Sequence, residues 1–219
     1  MSPQPNLITL VQPNSPAAEA YRTLRVNLTF AALDRPIETL LVATASPDDG
    51  GSTVLANLAV TMAHAEQRTV LVDADLRRPE LHEIFGISNE RGLVTMIVDP
   101  TALEAPPLAN TGIENLWVLP SGPLPPNPAD ILGSQKMEQV IATLKEHADV
   151  VLFTAPPVIA VTDAAVLGTK VDGVLIVVNA GRTHREHVQQ AKEILERVHA
   201  RIYGAVLNNA PHGTMLGKY

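Results

Sequence analysis

The acids Asp73 and Asp75 stand two apart, directly after the apolar run Val70-Leu71-Val72. In an extended chain, side chains two apart point the same way. Such a pair at a strand end can hold Mg²⁺ and accept a proton. The plainer reading is a strand-end turn of solvated acids, followed by the pair Arg77-Arg78. A second candidate is the stretch from Ala45 to Thr53, which reads ASPDDGGST. A phosphate-binding loop has the form G-x-x-x-x-G-K-[ST], its glycines letting backbone N–H groups approach phosphate oxygens and its lysine supplying a point charge. Gly50 and Ser52 fit that form, Ala45 replaces the first glycine, and Gly51 stands where the lysine belongs. The segment Asp49-Gly50-Gly51-Ser52-Thr53 can still present N–H groups to an anion at a helix start. The Ser52 hydroxyl can join Asp73 and Asp75 on a metal. Asp48 and Asp49, however, bring negative charge to where a triphosphate would lie. The plainer reading here is a strand-to-helix turn with good capping residues. A third strand-end position, after Val150-Val151-Leu152-Phe153, holds Thr154. An acid there would complete a Mg²⁺ site; a neutral hydroxyl can orient a metal-bound water but adds no charge.

These residues need elements to hold them. Apolar runs at Thr39–Ala45, Thr69–Asp73, Val150–Thr154 and Gly173–Asn179 read as buried strands, with two more at Leu116–Pro120 and Ile202–Leu207. Near-continuous Val, Ile and Leu marks parallel strands covered on both faces. Helical patterns fall between them, at about 52–66, 129–147, 162–169 and 184–199. Alternating strands and helices give an α/β fold with a doubly wound, mainly parallel sheet, in which ligands bind beyond the carboxyl ends of strands. Ahead of the first strand a helix is expected at about 15–32, with Ser15 as its N-cap and Pro16 in its first turn. The first dozen residues are expected to be extended or frayed. The whole of 1–219 reads as one domain.

Composition limits the functions available. The chain has 219 residues, 46% of them hydrophobic and only 3% aromatic, so its core rests on aliphatic side chains. Sixteen basic against 23 acidic residues, net −7, argues against a broad nucleic-acid surface. With no cysteine, disulfides, thiolate metal sites and thiol nucleophiles are excluded. No apolar run reaches the length of a membrane span and the N-terminus lacks a signal pattern, so a cytoplasmic location is expected. His184 and His187 flank Glu186 in the segment THREH, which fits no metal motif and reads as a solvated helix start.

Taken together, the chain resembles the cytoplasmic domain of bacterial tyrosine kinases of capsule and exopolysaccharide synthesis, a branch of the deviant P-loop ATPases. Glu19-Ala20-Tyr21-Arg22-Thr23-Leu24-Arg25 is similar to the family's E-x-x-R-x-x-R helix. Asp73-Ala74-Asp75-Leu76-Arg77-Arg78-Pro79 is similar to its second Walker-type motif. Leu119-Pro120-Ser121-Gly122 with Pro125-Pro126-Asn127-Pro128, Pro156-Pro157, Val161-Thr162-Asp163-Ala164, Val171-Asp172-Gly173-Val174 and Val206-Leu207-Asn208 match as well. The resemblance implies a P-loop three-layer α/β/α fold, ATP or ADP with Mg²⁺ as cofactors, and Asn208 against the base edge. It also implies homo-oligomeric assembly through Glu19, Arg22 and Arg25, a membrane-anchored polysaccharide co-polymerase as activating partner that recruits the domain to the inner membrane face, and Tyr219 as phosphoacceptor. Read without the resemblance, the Glu19/Arg22/Arg25 face is a solvated helix surface, and Asn208 is a turn residue.

The departures from the pattern set the functional expectation. The family has a lysine at the position of Gly51, an acid at that of Thr154, often a small residue at that of Asp48, and a tyrosine cluster where this chain has Tyr219 alone. A degenerate, pseudokinase-like member with weak or lost nucleotide binding follows, acting in regulation or scaffolding. The alternatives are an active autokinase with a rebuilt phosphate site, with Arg77 or Arg78 as substitute cation, and a relative of the partition-type ATPases.

Overall fold

The computed structural model describes residues 5–211. Its helices are α1 (Ile8–Val11), α2 (Pro16–Ala31), α3 (Gly51–Ala63), α4 (Leu81–Phe85), α5 (Leu93–Val98), α6 (Thr101–Glu104), α7 (Pro128–Gly133), α8 (Gln135–His147), α9 (Asp163–Gly168) and α10 (Arg185–Arg197). Its strands are β1 (Thr39–Thr44), β2 (Thr69–Val72), β3 (Ala109–Asn110), β4 (Leu116–Leu119), β5 (Val150–Thr154), β6 (Gly173–Asn179) and β7 (Ile202–Asn208).

All seven strands join one sheet in the order β3-β4-β2-β5-β1-β6-β7. Every pairing is parallel except that of the short edge strand β3 with β4. The central strands are buried throughout, and successive side chains serve opposite faces, as the period of two in a strand requires. Leu41, Ala43, Val151 and Phe153 enter one core with α5, α7, α8, α9 and α10. Leu40, Val42, Leu152 and Leu175 enter the other with α2, α3 and α4. This is the three-layer α/β/α arrangement, and it sets the ends of β2, β5 and β1 side by side at the carboxyl edge.

Local chemistry explains most boundaries. Ser15 caps α2 by accepting the Ala18 N–H at 3.2 Å, with Pro16 in the first turn. The expected helix over 129–147 is two helices, because Ser134 is extended and caps α8 through the Met137 N–H at 3.3 Å. The N-terminal stretch departs from its extended expectation at Ile8–Val11. Buried Thr9 fastens that turn to α3 by donating N–H and O–H to Asn57 Oδ1, at 3.1 and 2.9 Å. The helices α4, α5 and α6 and the strand β3 are too short to show a period in sequence.

Candidate functional site

The loop after β1 turns back on itself before α3. Asp48 and Gly50 both have left-handed backbone, φ 62° and 81°, and Gly50 is the residue before the helix. Glycine is needed at position 50 on two counts: its φ, and the Asn208 Nδ2 that a Cβ there would meet at 2.8 Å.

The loop is held by side chains that reach in from β6, β7, α10 and the connection between β6 and α10. Asp49 accepts the Ser46 N–H at 2.8 Å and the Thr183 hydroxyl at 2.6 Å. The Asn208 amide donates to the Asp49 carbonyl at 3.0 Å, and Asn179 to the Asp48 carbonyl at 3.4 Å. The Ser46 hydroxyl lies 2.8 Å from His187 Nδ1.

Two expectations change here. Asp49 is only 2% exposed, so its carboxylate points into the protein and staples the loop instead of facing phosphate space; buried polar groups take the partners at hand. Asp48 stays exposed. His187, read as part of a solvated helix start, touches the loop, with the His184 ring edge-on to it at 5.3 Å. Nothing in the local sequence signals that contact, because it depends on how α10 returns to the sheet. The same holds for Thr183 and Asn179.

The end of β2 is equally tied. Asp73 is 1% exposed. Its Oδ2 accepts the Glu80 and Leu81 N–H groups at 2.9 and 2.8 Å, and its Oδ1 accepts the Thr154 hydroxyl at 2.9 Å. Thr154 in turn accepts the Ala74 and Asp75 N–H groups at 3.0 and 3.2 Å. Its one hydrogen and both lone pairs are used. A hydroxyl has three hydrogen-bonding positions, and all three are filled from within, so orienting a metal-bound water would require Thr154 to give up one of these bonds.

Burial pushes the Asp73 carboxyl up to about 6, against the opposing pull of the Leu81, Thr154 and Glu80 donors. Asp75 is partly buried and also raised, chiefly by burial. Its Oδ1 accepts the N–H groups of Arg77 and Arg78 at 3.1 and 2.9 Å, closing the turn after the strand.

Arg77 is not a spare cation. Its guanidinium grips fully buried Asp163 at the start of α9 with two bonds of 2.8 and 3.0 Å. Asp163 has no access to water and would be left an unpaired buried charge without it. Arg78 is exposed and makes no ion pair among the described residues.

Ser52 and Thr53 open α3 beyond Gly51, with Ser52 half-buried and Thr53 exposed. Toward a metal, the carboxylates thus offer one lone pair on Asp73 Oδ1 and the Asp75 Oδ2. Among the described residues no group of three or more His, Asp or Glu could hold a metal ion.

On α2, Glu19 and Arg22 pair with each other at 2.7 Å, and Arg22 also donates to the Pro13 carbonyl at 2.9 Å. Arg25 keeps its Nε buried without a partner. Tyr219 lies outside the described residues. Among those residues no helix is long and apolar enough to cross a membrane.

A glycine-turn loop feeding α3 after β1, with an acid pair ending β2 at the same edge of a mainly parallel sheet, defines a P-loop NTPase-like protein. The chain is 38% identical over 205 residues to the tyrosine-protein kinase YwqD of Bacillus subtilis, covering 94% of this chain and 86% of the relative. It therefore belongs to the bacterial tyrosine-protein kinase family. The crystal structure of the chimerical protein CapA2B2 superposes with a TM-score of 0.89 at 36% identity, over 94% of this chain and 90% of that one. The septum site-determining protein MinD of Pyrococcus horikoshii, complexed with Mg-ADP, gives a TM-score of 0.65 at 22% identity over 81% of this chain and 72% of that one, a likeness of fold alone. No family model matches the chain.

Proposed function

We propose that this chain is a kinase-family domain in which MgATP binding is weak or lost, and that it regulates or scaffolds capsular or exopolysaccharide synthesis beside a membrane-anchored co-polymerase. The observation that carries the reading is the enclosure of Asp73. Both of its oxygens already accept internal donors, one of them from Thr154, a neutral residue where the family has an acid. Mg²⁺ requires near-octahedral oxygen ligation. Such a site is held through one or two carboxylates together with phosphate oxygens and water; here Asp73 keeps one free lone pair and Thr154 brings no charge, which weakens that hold. Gly51 removes the lysine charge as well, and a hydrogen bond to a charged group contributes about 1.5–3 kcal/mol. Arg77 is committed to Asp163 and does not replace it.

Calorimetry with ATP and ADP, with and without Mg²⁺, tests the reading, together with phosphotyrosine blotting of Tyr219 and of a supplied tyrosine peptide. Little or no binding and no labelling is the expected result. Tight Mg²⁺-dependent ATP binding with labelling would instead establish the active autokinase.

Assembly into a homo-oligomer through α2 belongs to the same proposal. The buried, unpartnered Nε of Arg25 supports it, since such a donor gains from an acceptor on a neighbour. Sedimentation of the chain against the Arg22→Ala/Arg25→Ala variant tests this. A species lost only in the variant is expected; identical sedimentation at high concentration leaves α2 as a solvated helix.

A further inference from the structure

We infer that Thr44, the last residue of β1, is what keeps a side chain, and with it a cation, out of position 51 of the phosphate loop. The backbone at Gly51 does not require glycine. Unlike Gly50, Gly51 lies outside the left-handed region and opens α3 with ordinary helical geometry, which any L-residue adopts. What excludes a side chain is a single atom. A Cβ built on Gly51 would lie 2.7 Å from Thr44 Cγ2, and apart from the flanking residues and the helix's own backbone nothing else stands within 4 Å. Carbon atoms pack at about 3.5–4.0 Å, so the methyl must move by nearly an ångström before any residue with a Cβ can enter.

Thr44 has little room to yield. It is 7% exposed, and its side chain is β-branched and therefore stiff about χ1. Its backbone is fixed too, pairing with Val177 of β6 and accepting the Val158 N–H at 3.0 Å. Thr44 and Gly51 are thus a fitted pair. The threonine determines specificity against the nucleoside di- and triphosphates that a lysine at position 51 would hold. This rests on the reading that nucleotide binding is weak, and deepens it: restoring the lysine alone does not restore the site.

Two measurements decide. The first needs no ligand. Alanine is a better helix residue than glycine, so without the methyl contact Gly51→Ala should raise the melting temperature. With the contact present it should lower it. We expect Gly51→Ala to lower Tm by roughly 2–4 °C in the unaltered chain and to raise it in the Thr44→Ser background. A Gly51→Ala that raises Tm equally in both backgrounds overturns the inference.

The second compares Gly51→Lys with Thr44→Ser/Gly51→Lys by calorimetry with MgADP. The double variant should bind at least about 10-fold tighter than the single one. Equal binding by the two, with equal Tm, also overturns it. If the unaltered chain already binds MgADP tightly, the functional reading falls, while the melting comparison still decides the role of Thr44.

Discussion

The ends of β1 and β2 face the same edge of the sheet, yet they are built in opposite ways. At β2 the motif's own residues are all present, and its two acids are already engaged within the protein. Asp73 anchors the start of α4, Asp75 closes the following turn, and Thr154 from β5 bridges between them. At β1 the lysine position holds glycine, and the loop shape is kept by residues outside the motif: Thr183, Asn179, Asn208 and His187. The difference teaches that loop shape and ligand charge are separable. Backbone form at a phosphate loop persists where buried hydrogen bonds supply it, whether or not a cation stands in the loop. An acid motif can likewise persist because its carboxylates satisfy backbone donors.

The comparison breaks most sharply at Thr154. Thr154→Val keeps the shape but strands the Ala74 and Asp75 N–H groups and removes a donor from Asp73. With each unmet buried group costing about 1–3 kcal/mol, a loss of about 3 kcal/mol or more is expected in urea unfolding. A loss under about 1 kcal/mol would show that the β2 end does not depend on this hydroxyl.

Next comes pH. The carboxyl of Asp73 titrates at about 6 in the folded chain against an ordinary value of 3.8. Between those values the folded chain holds a proton that the unfolded chain has released. Its stabilising contribution is therefore complete below about pH 4 and is lost as pH rises to about 6, by at most about 3 kcal/mol at about 1.4 kcal/mol per unit. Asp73→Asn should flatten that part of the stability profile; an unchanged slope would assign it to other groups, such as Asp75.

At the β1 end, Asp49→Ala should cost about 2 kcal/mol, because the Ser46 N–H and the Thr183 hydroxyl lose their acceptor. If the carboxylate faced solvent instead, the change would be within about 0.5 kcal/mol.

The smallest effects separate the two arginines. Arg77→Ala leaves Asp163 buried and unpaired, while the half-exposed guanidinium limits the loss to about 1–2 kcal/mol. Arg78→Ala should change stability by less than about 0.5 kcal/mol. Equal effects would sink the assignment of Arg77 as a structural partner of Asp163.

The sequence by itself determined the layered α/β fold, because uninterrupted aliphatic runs at β1, β2, β5 and β6 can be buried only in a sheet covered on both faces. It determined the cap at Ser15, which acts within one turn. It also placed the candidate residues at strand ends, since connectivity alone puts them there. Tertiary structure decided what those residues touch. The inward turn of Asp49 depends on Thr183, 134 positions away, and the enclosure of Asp73 on Thr154, 81 positions away. The grip of Arg77 on Asp163 spans 86 positions, and the contact between Ser46 and His187 spans 141. A local pattern records which groups are present. Whether a buried carboxylate meets a ligand, a backbone donor or another side chain is fixed only when distant strands close the sheet around it and every buried donor has to find an acceptor.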